Sequence, residues 1–360
     1  MMKTAPLTLR QLSANLEHSG RPVRSMNVYG GSLVVLPQGG RVIGLYAKGS
    51  GENFFWTHDA LSSVDSIVRL YAESRWPNPG GDRTWLSPTT ELFVSDLKRF
   101  WETWREPVAV DPGNYTCSEV KGGLKLVNQP KLELRRRKQT IELAMEKTLH
   151  PAADPLRYEA DPGGDYAFAG YTTRSTLTVL REPRHSRVPI GLWQLLQLPP
   201  DGEMILPTFT RTRPTVIFGK VPRGDVRSET HCIRYRMRSA TTAKIAVHAV
   251  HLTGRMGYVR KNSEGGMDLI VRNFFVDPSG EYVDTPFDDE SARGDAVQAC
   301  KVSEKDIGSF SEIEHHSPAI GADTGLTTWT DISQVWAFRG RPTIIARITE
   351  VLLGSKPELS

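Results

Sequence analysis

Thr140-Ile-Glu-Leu-Ala-Met-Glu146 sets Ile141, Leu143 and Met145 against Glu142 and Glu146. That period of two belongs to a strand with one buried face. C-terminal to it, further strand-like runs follow at Ser175 to Leu180, Val216 to Val221, Cys232 to Arg238, Lys244 to Leu252, Asp268 to Val276, Ala296 to Val302, Gln334 to Arg339 and Thr343 to Leu352. Toward the N-terminus, Ser32 to Leu36 and Arg41 to Ala47 flank Pro37-Gln38-Gly39-Gly40, which reads as a hairpin. Strands at roughly even spacing, separated by polar turns, predict an all-β, mainly antiparallel fold, a large sandwich or barrel. Helical spacing is confined to Leu7 to Glu17, Asp59 to Glu73 (with Asp59 as N-cap) and Glu91 to Trp104. No internal repeat and no low-complexity linker divides the chain. We therefore expect residues 1–31 to form an N-terminal extension with a short helix, 32–354 a single β domain, and 355–360 a tail.

The composition agrees with a globular chain and excludes several classes. Its 360 residues are 39% hydrophobic and 24% charged, which rules out a wholly disordered or fibrous protein. The 45 Lys and Arg against 41 Asp and Glu leave a net charge of +4, too small an excess to indicate a nucleic-acid partner. No run approaches the ~18 apolar residues of a membrane helix, so no membrane partner is expected. The segment Met1 to Arg10 has no apolar stretch of the secretory type. The three cysteines, Cys117, Cys232 and Cys300, are odd in number and widely spaced. Free thiols and a cytoplasmic location are the expectation, with no metal and no cofactor.

Two stretches carry chemistry. The first is Phe310-Ser-Glu-Ile-Glu-His-His-Ser-Pro318. If it is extended, Glu312, Glu314 and His316 share one face and Ile313 and His315 the other. Two carboxylates and an imidazole together can divide base and acid roles, whereas the plain alternative is a solvated edge strand. The second is Asn78-Pro-Gly-Gly-Asp-Arg-Thr-Trp-Leu-Ser-Pro88. There the glycines allow a turn or the close approach of a ligand. Asp82 and Arg83 can hydrogen-bond hydroxyls, and Trp85 offers a flat apolar face, a mixture that suits a sugar; otherwise Asp82 and Arg83 pair with each other and Trp85 is core. His248-x-x-His251, the basic run Arg135 to Lys138 and the acidic run Asp284 to Asp295 read as a strand, an exposed turn and a solvated loop.

The sequence resembles the galactose mutarotase-like (aldose 1-epimerase-type) superfamily. The likeness rests on Gly39-Gly40-Arg41-Val42-Ile43-Gly44-Leu45, Asn53-Phe54-Phe55-Trp56, Gly80-Gly81-Asp82-Arg83-Thr84-Trp85, Pro189 to Leu198 and Glu312-Ile313-Glu314, closing with Trp336-Ala-Phe338 and Leu352-Leu353-Gly354. It implies a β-supersandwich over roughly Ser32 to Gly354, with a mono- or oligosaccharide bound in a concave cleft. It also implies a carboxylate base, placed at Glu312 with Glu314 as fallback, and an acid, usually histidine, that protonates the ring oxygen. The sequence departs from the family where that histidine is expected: Gly191-Leu-Trp193-Gln194 contains none. Trp193 would then offer a stacking surface, and His231, His58 or His316 would have to supply the proton. Three functions follow. One is an aldose 1-epimerase-type isomerase with Glu312, Glu314 and His316 as catalytic groups and Asp82, Arg83, Trp85, Trp193, His58 and His231 around the sugar. The others are a non-catalytic carbohydrate-binding protein and a glycan lyase or hydrolase on the same fold.

Overall fold

The computed structural model describes residues 6–159, 164–185, 187–238 and 240–358. The first five residues of the expected N-terminal extension and the last two of the expected tail lie outside them. The alternation at Thr140 to Glu146 is the middle of a longer strand, Gln139–Pro151, whose odd-numbered side chains from Ile141 to Leu149 are buried. It pairs antiparallel with Ala167–Arg181, which pairs in turn with Thr328–Gly340. These long strands centre an eleven-stranded sheet. A second sheet of nine strands runs in the order Arg24–Val28, Gly31–Leu36, Arg41–Ala47, Asp82–Ser87, Gly191–Leu198, Gly308–His316, Asp295–Glu304, Ala243–His248, Thr215–Gly219. All its pairings are antiparallel. The two sheets pack face to face around a continuous apolar core that includes Leu33, Leu196, Tyr171, Ile270, Ile313 and Val335. This is the antiparallel β-sandwich that the sequence periodicity predicts.

Polar groups are also buried between the sheets, several of them paired. Asp82 accepts from Tyr171 Oη at 2.5 Å and pairs with Arg272 at 2.6 Å. Burial works against its charge, but Arg272 and Lys147 outweigh that and hold its carboxyl below the ordinary value. Two strands along, His315 lies 3.1 Å from Asp331.

Several expectations need correction. Thr343 to Leu352, read as a strand, is the helix Pro342–Leu353. Its run of β-branched residues imitates a strand, yet Ile344, Ile345, Ile348 and Leu352 fall on one helical face. Pro342 at the first turn and a left-handed Gly354 at the end are helix punctuation. Glu91 to Trp104 is not one helix: it breaks into short turns at Thr89–Leu92, Leu97–Arg99 and Phe100–Thr103, with the Asp96 side chain capping the restart. Asp59 to Glu73 divides at Ser63 into a 3-10 turn, Asp59–Ser62, and the helix Val64–Glu73. The strand from Ala243 stops at His248, and His251 sits in a following 3-10 turn. Residues Arg24–Val28 form the edge strand of the nine-stranded sheet. The acidic run is solvated only in its middle, because Asp284 and Asp295 are buried. The three cysteines are unpaired. Among the described residues no helix is long and apolar enough to cross a membrane.

Candidate functional site

Strand register alone assembles a cluster on the outer face of the nine-stranded sheet. Directly opposed residues on adjacent strands point the same way. Trp193 opposes Trp85 on one side and His316 on the other, which makes one row. Two residues along, Leu195 opposes Arg83 and Glu314, and Glu314 opposes Gln298. In the third row Glu312 opposes Cys300, which opposes Lys244. Because the Gly308–His316 segment is extended, Glu312, Glu314 and His316 share this face and Ile313 and His315 face the core. Thus residues 229 apart in sequence meet: Arg83 Nη1 donates to Glu312 Oε1 at 2.6 Å.

Above this floor lies a cavity of about 1110 Å3. Arg83, Trp85, Trp193, Lys244, Cys300 and Glu312 line its base, and the Phe100–Thr103 turn with Trp104 and Phe287 covers it. The Arg83 guanidinium lies 4.3 Å from the Trp85 ring centre, and Lys244 Nζ 4.5 Å from that of Trp193. Trp85 and Trp193 meet edge to face. The base therefore offers aromatic faces, two cations and a carboxylate to one ligand.

Glu314 lies under the floor, fully buried. Its Oε2 accepts from Trp193 Nε1 at 2.7 Å and from Lys244 Nζ at 2.9 Å, while Oε1 has no partner. Burial, reinforced by the charge of Glu312 and opposed by Lys244, pushes its pKa up to about 7. Burial works against the Lys244 ammonium, but Glu314 and other neighbouring charges outweigh it and hold its pKa above the ordinary value. His316 stacks on Trp193 with ring centres 5.5 Å apart; burial pushes its pKa down to about 3, so the imidazole is neutral. Burial also pushes the Cys300 thiol well above its ordinary value. Cys300 Sγ and oxygens of Glu312 and Glu314 lie within 4.8 Å of one another. They fit a divalent ion poorly, since Lys244 and Arg83 already bring positive charge to both carboxylates.

The other residues singled out from the sequence are placed as follows. His58 lines the cavity, but its Nδ1 accepts from Ala60 N–H as a helix cap, and burial lowers its pKa. His231 is exposed on a turn, with Nδ1 2.9 Å from Phe209 O, and does not line the cavity. Asp82 points between the sheets, away from the cavity, as strand alternation requires of the neighbour of Arg83. Gly80 and Gly81 serve backbone packing rather than ligand approach. Both have positive φ, and a Cβ on them would lie 2.3 Å from Trp56 O and 2.2 Å from Val42 O.

Sequence reasoning missed Lys244, Cys300 and the aromatic cover. A lysine inside the otherwise apolar run from Ala243 to Val247 was the available signal. The basic run is also more than an exposed turn. Arg135 Nη1 donates to Phe93 O and Thr103 O, and Arg136 and Arg137 both pair with Glu91. These contacts fasten the covering segment to the sandwich.

No family model matches the sequence, and no curated protein matches it significantly. Among solved structures the fold is similar to a galactose mutarotase-like protein from Lactobacillus casei, with 10% identity, a TM-score of 0.48, and 88% of this chain and 99% of that one covered. It is also similar to a galactose mutarotase related enzyme from Lactobacillus acidophilus, with 7% identity, a TM-score of 0.44, and 88% and 96% covered. An aldose epimerase homologue from C. elegans gives 7%, 0.44, 88% and 98%. At such identities the similarity is one of architecture, and the function has to be argued from the site.

Proposed function

We propose that this protein binds a carbohydrate in the cavity on its nine-stranded sheet and acts on it as an aldose 1-epimerase-type isomerase, with Glu312 as general base. The observation that carries the reading is the Arg83–Glu312 pair at 2.6 Å on a floor walled by Trp85 and Trp193. Sugars present apolar C–H faces and hydroxyl edges, and tryptophan faces beside charged hydrogen-bonding groups match both. In the proposed reaction Glu312 takes the proton of the anomeric hydroxyl as the bond from C1 to the ring oxygen breaks. The ring oxygen takes a proton from Lys244, the cavity-lining ammonium. After rotation about C1–C2 the ring closes on the other face, and both protons return. Glu314 holds Lys244 and Trp193 in place.

A non-catalytic sugar-binding protein is the second reading. It is favoured by the segment Gly191-Leu-Trp193-Gln194, which has no histidine where the resemblance implies the acid, and by the capping role of His58, the one imidazole lining the cavity among the described residues. Anomer exchange of glucose, galactose and related aldoses, followed by magnetisation-transfer NMR, separates the two. Catalysed exchange that disappears in Glu312→Gln supports the isomerase. Binding without exchange across the panel leaves the second reading.

A further inference from the structure

Resting on the carbohydrate reading, we propose that the ligand is an oligosaccharide and that Trp101, with Phe287 and Phe218, forms a distal subsite for a sugar unit beyond the one held at Arg83 and Glu312. The cavity floor crosses six strands, from Asp82–Ser87, which carries Arg83, to Thr215–Gly219, which carries Phe218. Five inter-strand steps of ~4.8 Å make it roughly 24 Å wide. The three steps from the strand of Glu312 to that of Phe218 alone cover roughly 14 Å. A single sugar ring at the Arg83–Glu312 pair leaves most of that floor uncovered. The volume of about 1110 Å3 also stands just above the ~300–1,000 Å3 that encloses a drug-sized ligand, which is itself larger than a monosaccharide.

The far end is built for a sugar face. Trp101 is 55% exposed, unusual for the largest apolar side chain, although it lines the cavity. Its edge-to-face contact with Phe218, ring centres 5.0 Å apart, and its neighbour Phe287 at 6.3 Å fix its plane at the wall. Thr285 and Glu304 line the same cavity and supply hydroxyl partners. An exposed, fixed tryptophan beside such groups offers an open ring face for a pyranose, whereas Trp85 and Trp193 are almost fully buried.

The test measures dissociation constants by calorimetry for a monosaccharide and for its linear di- and trisaccharides, over α- and β-linked glucose and galactose series. Wild type, Trp101→Ala and Trp101→Phe are compared. The readout is the ratio of monosaccharide to trisaccharide Kd within each protein, which cancels any change in protein quality. We expect a ratio of about ten in the wild type, the increment of one stacked unit. It should fall toward one in Trp101→Ala and be largely restored in Trp101→Phe. Monosaccharide binding with a wild-type ratio near one, or a ratio unchanged in Trp101→Ala, overturns the distal subsite and leaves the proposed function standing. Failure of every sugar to bind at any length overturns both.

Discussion

Glu312 and Glu314 are two residues apart on one strand face, and their environments separate them. Glu312 lines the cavity against Arg83, whereas Glu314 is sealed beneath it with one oxygen lacking a partner. Glu312→Gln keeps the shape and an acceptor for Arg83 but cannot take a proton at neutral pH. We expect turnover to fall by ~10²–10⁴ while sugar affinity changes much less; steady-state rates set beside calorimetric Kd values check this. Arg83→Ala leaves Glu312 as a buried charge without its partner, and should cost about 3–5 kcal/mol in urea denaturation. The raised pKa of Glu314 has a definite sign. Between its ordinary value of 4.5 and about 7 the folded protein holds a proton that the unfolded chain releases. The stability contributed by this group is thus complete below that window and is lost as pH rises through it. Glu314→Gln, which cannot titrate, should gain on the wild type between pH 5 and pH 8 in chemical denaturation. A constant difference between the two proteins would contradict the assignment.

At the scale of elements, the long strands were readable from the sequence because one buried face imposes a period of two, as in Gln139–Pro151. The C-terminal helix was not, because its isoleucines carry strand propensity, and only packing against Ile205, Val259 and Leu269 reveals which face is buried. Ile348 is fully buried in that contact, so Ile348→Ala should cost about 2–5 kcal/mol by the same measurement. The cover over the cavity was unreadable for a different reason. Its aromatic residues suit a helix, but its backbone carbonyls are held by Arg135, 42 residues from Phe93 and 32 from Thr103. Arg135→Ala should therefore loosen residues 93–105 selectively, seen as faster amide hydrogen exchange there with little change in the central strands. Uniform exchange over the whole chain would mean that the arginine stabilises the sandwich rather than its cover.

For the molecule as a whole, the sandwich supplies a rigid floor and the site is grafted onto it. Arg83 and Glu312 lie in two separate stretches, each with its own local chemistry, and the sequence reading expects both to line one cleft with Trp85 or Trp193. Their meeting depends on a strand order in which Asp82–Ser87 and Gly308–His316 flank Gly191–Leu198, and no local pattern encodes that order. Lys244 reaches the same floor from a third region of the chain, which is why only the assembled sheet reveals it. Asp82 shows the converse: an adjacent residue of suitable chemistry is turned into the core by alternation alone. The central claim is that a sugar sits on this floor against Glu312. Its most direct test is a crystal structure of the Glu312→Gln protein grown with the tightest-binding sugar of the panel. The expected result is a sugar ring against Trp85 or Trp193 with a hydroxyl within ~3.2 Å of the residue-312 side chain. A sugar bound elsewhere on the molecule, with this cavity holding only water, would contradict it.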